Sequence, residues 1–445
     1  MDFQEFKSAV TARCAALGIT DYELYYQTAE STSVSVYQQE INQFSASVEG
    51  GVCFRCIADG KMGYASTEAL SRETADAVVE RALDNAMALE AEEPVFLGEG
   101  GKTYTVLPGK QPRMPSAEVL AEKALATQAQ LYAADPAVID GSTTQGVAEH
   151  SRIAIFNSRG LDLQDETTLV GLIIAAVVTD GQEMSNDHQI GLGDLEELDT
   201  EAMTKKAART ALAKLGGEPA PTGQYPVIFN PEAMSSLLST FSSIFSAESA
   251  RKGLSRLAGQ EDTLIASPVV TVVDDPAWPG SFLQRSFDAE GSPTFRKKII
   301  DRGRLHTLLY DLKNAALSGR ETTGNAAKGN YDSPVGIQPF TLYLAGGDMT
   351  EEELLLKAGN GVYINFLGGL HAGANPVSGD FSLQSAGFLI ENGKKTAHVK
   401  SFTVAGNFYD LLKNITCAAD NLEFPGMGTV GSPSVLVEGL SIAGK

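Results

Sequence analysis

Residues 368–394 read G-G-L-H-A-G-A-N-P-V-S-G-D-F-S-L-Q-S-A-G-F-L-I-E-N-G-K. A glycine-rich loop gives way to an alternating strand. Asn392-Gly393 is a dipeptide that two-residue hairpin turns favour, because both central positions need positive φ. The stretch therefore predicts strand, turn and strand, and with them a β-rich C-terminal half. Gly368, Gly369, Gly373 and Gly379 leave the backbone bare, so another backbone can approach it. His371, Asn375, Ser378 and Asp380 add polar groups. Gly368, Gly369, His371, Asn375, Ser378, Gly379 and Asp380 are thus candidates for a groove that holds an extended peptide. Backbone bonds from residues 368–383 would supply sequence-tolerant affinity, as in strand addition.

Upstream, Asn230-Pro231 opens a helix predicted over 231–247, with Asn230 as cap and Pro231 in its first turn. Met234, Leu237, Leu238, Phe241, Ile244 and Phe245 make one apolar face that reads as core. Thr350-x-x-Glu353 is a capping box for a short helix over 351–357. Gly216 to Gly223 is rich in glycine and proline and marks the best domain boundary.

Before it, residues 2–17 read as a helix and 22–65 as a strand meander turned at Asp59-Gly60. Ala75, Val78, Val79, Ala82, Leu83 and Ala86 line an amphipathic helix whose acids face solvent. Residues 91–115 read as a linker and 116–134 as a helix. Strands are expected over 138–181, with a tight turn at Asn157-Ser158-Arg159-Gly160. A helix capped by Thr200 runs towards Gly216. The expected architecture is an α+β N-terminal domain over 1–215, with a subdivision into 1–95 and 115–215 left open. A β-rich, barrel- or sandwich-like domain follows over 224–445.

The chain resembles the TldD/PmbA family of peptide-processing metallopeptidases. Besides the 368–394 segment, the resemblance rests on the hairpin Gly51–Thr67 and on Phe287-Asp288-Ala289-Glu290-Gly291. It also rests on Leu309-Tyr310-Asp311, Thr323-Gly324-Asn325-Ala326 and Gly431–Val437, all in the family's order. Zinc peptidases of that family carry H-E-x-x-x-H on the helix after a Pro- and Gly-rich junction. The two histidines hold zinc and the glutamate serves the attacking water. Here Ser239 and Thr240 stand at the first His and the Glu, and Ile244 at the second His. Cys417 lies near the family's third ligand, but a lone thiolate does not hold zinc, and a buried small hydrophobe is the simpler reading.

Members without the histidines resemble the PmbA (TldE) branch. The resemblance implies a metal-free, non-catalytic subunit that pairs with a histidine-bearing TldD-like subunit. The partner would carry the zinc, and this chain would hold unfolded or extended peptide for proteolysis or maturation. Two alternatives stand beside it. One is an independent peptide-binding or regulatory homodimer. The other is a hydrolase with a site relocated to His371, Asp380 and Cys417.

Composition narrows the field. The net charge of −22 repels phosphate backbones, so direct nucleic-acid binding is not expected, although part of the family is labelled a modulator of DNA gyrase. Met1-Asp2-Phe3-Gln4-Glu5 is not followed by an apolar signal region, and the run Leu169–Val178 is too short to span a bilayer. A cytoplasmic protein without membrane contact is expected. Four cysteines in 445 residues do not suggest a disulfide framework. Cys53-x-x-Cys56 lies in a strand pattern, where i and i+3 point to opposite faces, so it is not a redox or metal pair. Asp288 and Glu290 read as a turn held by Asp side-chain bonds, with Gly291 supplying an unusual dihedral.

Overall fold

The computed structural model describes residues 1–90, 93–107 and 111–444. Helix α1 (Phe3–Leu17) precedes strands β1 (Asp21–Tyr37), β2 (Glu40–Ala58) and β3 (Lys61–Thr67), and α2 (Arg72–Ala88) follows them. The same order then repeats as α3 (Ala117–Ala134), β4 (Thr143–Asn157), β5 (Asp162–Thr179), β6 (Met184–Leu192) and α4 (Thr200–Leu212). The two units merge into one antiparallel sheet of order β3-β2-β1-β4-β5-β6, joined where β1 meets β4. The subdivision left open in the sequence thus takes the form of two repeats sharing a sheet.

Side-chain alternation decides what each face of this sheet does. Leu24 lies under α1 and α2, while Val34 and Val36, of the same parity, lie under α3. Tyr25, Cys53 and Ile155 point the other way and pack with Phe287 and Tyr331 of the C-terminal half. Cys56 belongs to the helix-covered face, so the two cysteines of the C-x-x-C are on opposite sides, as their spacing predicts. The Asp59-Gly60 turn forms with both residues at positive φ, and Gly160 closes the turn begun by Asn157.

Two expectations are corrected here. The helix after residue 199 is capped by Asp199, whose side chain accepts from Ala202 N, and Thr200 is its first residue. Strand β6 escaped the sequence reading because Ser185, Asn186, Asp187, His188 and Gln189 interrupt its apolar alternation at a sheet edge. Of the segment read as a linker, residues 91–92 and 108–110 lie outside the described residues. The rest carries no helix or strand, as a linker should, and packs on the C-terminal half: Tyr104 donates to Gly291 O, and a Cβ on Gly98 would come within 2.1 Å of Glu290 O.

The C-terminal half begins with β7 (Gly223–Phe229), α5 (Pro231–Thr240) and α6 (Ala247–Arg251). Next come β8 (Val272–Asp274), β9 (Lys297–Asp301), β10 (Arg304–Leu305), α7 (Leu312–Leu317), β11 (Ala326–Ala327), β12 (Gly336–Ile337), β13 (Leu342–Leu344) and α8 (Glu351–Ala358). The chain ends with β14 (Gly361–Gly368), α9 (Leu370–Gly373), β15 (Asp380–Glu391), β16 (Lys394–Asn407), α10 (Phe408–Asn414), β17 (Ile415–Ala418), β18 (Val430–Gly431) and β19 (Val435–Ala443). Strands β16-β15-β14-β7-β19 are neighbours in that order, and β16 also pairs with β19, which closes them into a barrel. A smaller sheet has the order β10-β9-β8-β13-β18.

Val227, Phe229, Val362 and Ile364 pack with α5 and α10, whereas Ile228 and Tyr363 point to α8. The Thr350–Glu353 capping box and the Asn392-Gly393 turn both form. The long helix expected over 231–247 is broken. Asn230 caps it and Pro231 starts it, but Phe241 leaves helical geometry, a 3₁₀ turn covers Ser242–Phe245, and Ser246 caps α6. Ser246 Oγ takes the Ser249 N–H, which favours a new helix start there and with it the break. The apolar face survives it, because Met234, Leu237, Leu238, Phe241, Ile244 and Phe245 are all fully buried.

Candidate functional site

The glycine-rich segment folds onto itself. Asn375 Oδ1 accepts from Val377 N and Ser378 N, Ser378 Oγ accepts from Asp380 N, and Gly379 N donates to Asn375 O. Strand β15 is paired along one side with β16, while Asn375 N and Ala374 close on its first residues from the other side. These glycines therefore make room for the chain's own backbone. A Cβ on Gly373 would sit 2.4 Å from Ser382 O, and one on Gly379, at φ +80°, would sit 2.5 Å from the Tyr409 ring. This corrects the expectation that residues 368–383 offer open backbone for strand addition. His371, Asn375 and Asp380 remain exposed at the surface, and Gly369 holds αL geometry beside them. Asp380 accepts from Asn407 Nδ2 at 2.8 Å, which holds its carboxyl below the usual range. Nothing brings His371, Asp380 and Cys417 together: Cys417 is buried under α8, in the cluster with Ile228 and Tyr363.

The positions matching H-E-x-x-x-H do not form a donor set. Ser239 is exposed, Thr240 donates its hydroxyl to Ser236 O, and Ile244 is buried among Leu237, Phe241 and Phe245. Cys417 lies on the opposite face of the barrel wall from α5, and Lys357 Nζ donates to its sulfur at 2.7 Å. An isoleucine side chain has no lone pair, so the zinc that the family implies does not fit these four residues. Among the described residues no group of three or more His, Cys, Asp and Glu side chains could hold a metal ion.

Ser239 opens instead on a cleft of about 360 Å³ between the two halves of the molecule. The bare face of the N-terminal sheet supplies Tyr25 and Asp165, the end of α5 and the 3₁₀ turn after it supply Ser239 and Ser242, and the C-terminal domain supplies Arg285 and Lys328. Sequence reading missed Tyr25, Asp165, Arg285 and Lys328. The available signal was position, since Arg285 stands two residues before the Phe287–Gly291 motif and Lys328 two after the Thr323–Ala326 motif.

The motif residues themselves build the walls. Asp288 Oδ1 accepts from Glu290 N and Ser292 N, its Oδ2 accepts from Ala326 N, and Gly291 sits at φ +72°. That is the side-chain-held turn its sequence predicts. Glu290 points towards the N-terminal sheet, where Arg55 is 4.0 Å away, and it accepts from Leu312 N. Arg55 is closest to Glu23, at 2.7 Å, its direct cross-strand neighbour, and Glu23 also accepts from Asn157 Nδ2. Burial pushes the Glu290 carboxyl up to about 8, against the pull of Arg55. Asn325 is buried between Asp274 and Lys297, donating to the first and accepting from the second. Asp311 caps α7, and Tyr310 donates to Glu261.

Three profiles of one family match the chain: PmbA/TldA metallopeptidase domain 1 over residues 22–86, the central domain over 110–215 and the C-terminal domain over 222–444. The chain is 26% identical to the metalloprotease PmbA of Escherichia coli O157:H7 over 423 residues, which cover 93% of this chain and 90% of that one. A metalloprotease of Methanothermobacter thermautotrophicus is 27% identical over 395 residues, covering 87% and 85%. Among solved structures, a candidate modulator of a DNA gyrase from Thermotoga maritima superposes with a TM-score of 0.90 at 30% identity, covering 99% of this chain and 100% of that one. TldE from Thermococcus kodakarensis superposes at 0.87 with 25% identity, covering 98% and 99%. With all three domains matched in order, the chain belongs to the TldD/PmbA metallopeptidase family.

Proposed function

We propose that this chain is the non-catalytic, metal-free subunit of a TldD/TldE-type heteromeric metallopeptidase and that it holds extended or unfolded peptide for cleavage. The observation that carries this reading is Ile244. At the second His position of the family's metal motif stands a hydrocarbon side chain, fully buried in the core, while Ser239 at the first His position faces the cleft. Zinc and general base would come from a histidine-bearing TldD-like partner. The cleft between the two halves has room for a few residues of extended chain, and Ser239, Ser242 and Tyr25 offer it hydroxyl groups. The exposed polar groups His371, Asn375 and Asp380 lie by α9, which packs against α5, and would extend the contact surface.

The test is metal content and peptide cleavage for the chain alone, for a histidine-bearing paralogue from the same genome and for the mixture. Stable co-purification, with zinc and cleavage confined to preparations containing the paralogue, is the expected result. Stoichiometric zinc or hydrolysis by the pure single chain would defeat the proposal. A self-associated chain that binds peptide but ignores the paralogue would favour an independent peptide-binding homodimer.

A further inference from the structure

We propose that the cleft beside Ser239 is a carboxylate-recognition site, in which Lys328 receives a carboxylate of the bound peptide and Arg285 supports it; this rests on the peptide-holding role proposed above. Lys328 is half-buried. Its ammonium lies 4.8 Å from the Tyr25 ring centroid, and the Cys53 thiol acts on it. Among the described residues no carboxylate lies within ion-pair distance of it. Glu23, whose charge acts on it, is already engaged by Arg55 and Asn157. Burial and the charge of Arg55 push the Lys328 pKa down. A desolvated ammonium without a counter-ion is costly, and an incoming carboxylate relieves that cost.

Arg285 adds a second cation to the same cleft. It donates Nη1 to Thr167 Oγ1 at 2.7 Å, and a guanidinium fork matches a planar carboxylate. Ser239 and Ser242 also line the cleft and supply hydroxyl donors. Two acids also line the cleft, and neither satisfies Lys328. Asp288 spends both oxygens on backbone N–H groups, and Asp165 faces Arg285 while accepting from Glu166 N.

The carboxylate can come from the C-terminus of a peptide or from an Asp or Glu side chain, and the experiment separates these sources. Three labelled forms of one unstructured Ala/Ser/Leu/Gly heptapeptide are titrated by fluorescence anisotropy into the full chain, alone and mixed with its histidine-bearing paralogue. They are the free acid, the C-terminal amide, and the amide with one internal Glu. The expected result is at least about tenfold tighter binding of a carboxylate-bearing form than of the plain amide. Preference for the free acid assigns the C-terminus, and preference for the Glu form assigns the side chain. Lys328→Met abolishes the discrimination while plain amide binding persists, and Lys328→Arg retains it. Should Lys328→Met fail to fold, Arg285→Gln provides the second reading, with a reduced preference expected. Equal binding of all three forms overturns the carboxylate site and leaves the peptide-holding role standing. No binding of any form, alone or mixed, overturns both.

Discussion

Asp274 shows how much of this protein rests on single buried polar groups. It is fully buried. Oδ1 accepts from Phe340 N and Thr341 N, and Oδ2 accepts from Lys297 Nζ at 3.1 Å and Asn325 Nδ2 at 2.8 Å. Removing the carboxylate leaves a buried ammonium without its counter-ion and two backbone N–H groups without their acceptor. Asp274→Ala is therefore expected to cost about 3–5 kcal/mol, read as a lowered urea midpoint. A loss under about 1 kcal/mol would mean that water replaces the carboxylate. Asn325 was visible in the sequence as part of Thr323-Gly324-Asn325-Ala326, but its task was not. Its partners stand at 274 and 297, and only the folded chain brings them together. Asp288 was readable because two of its three partners, Glu290 N and Ser292 N, are its near neighbours in sequence.

The same contrast holds for whole elements. Helices with local signals were legible: Asn230-Pro231, the Thr350–Glu353 box and the apolar stripe of α2 all appear where the residues put them. The hairpin turns at Asp59-Gly60 and Asn392-Gly393 were legible for the same reason. The turn at Gln38-Gln39 was not, because two non-glycine residues take positive φ there to join β1 to β2. What no local pattern could disclose is how closely elements approach. Gly63 of β3 lies directly beneath α2, and a Cβ there would come within 1.8 Å of Ala82 O. Gly63→Ala should push α2 away from the sheet and cost about 1–3 kcal/mol. Gly60→Ala is the control: φ is +72°, but nothing lies within 4 Å of the added carbon, so only backbone strain is introduced. Thermal unfolding of the two variants should show the larger loss for Gly63→Ala. Equal losses would mean that α2 yields without resistance.

At the scale of the molecule, the two halves are joined through buried charge, and this makes the join sensitive to pH. Glu290, from the C-terminal domain, meets Arg55 of the N-terminal sheet, but Arg55 stands closer to Glu23, at 2.7 Å against 4.0 Å. Burial is the first cause that raises Glu290 from 4.5 to about 8, and the same cause raises Asp288 from 3.8 to about 6. For a carboxyl raised on folding, the sign runs against the usual case. Between about 4.5 and 8 the unfolded chain has released a proton that the folded chain keeps, so stability falls as pH rises through that window and levels off above it. The two carboxyls interact, so the window belongs to the pair. The net charge of −22 adds self-repulsion that also grows with pH, and wild type alone cannot separate the two effects. Glu290→Gln does separate them. The amide oxygen can still accept from Leu312 N, nothing at the position titrates, and the overall charge hardly changes. Melting temperatures of wild type and Glu290→Gln, measured from pH 5 to pH 8.5, should converge or cross as pH rises, with the variant gaining relative to wild type. Parallel profiles would show that Glu290 is ionised throughout, and that Arg55 holds both glutamates as a charged triad across the junction.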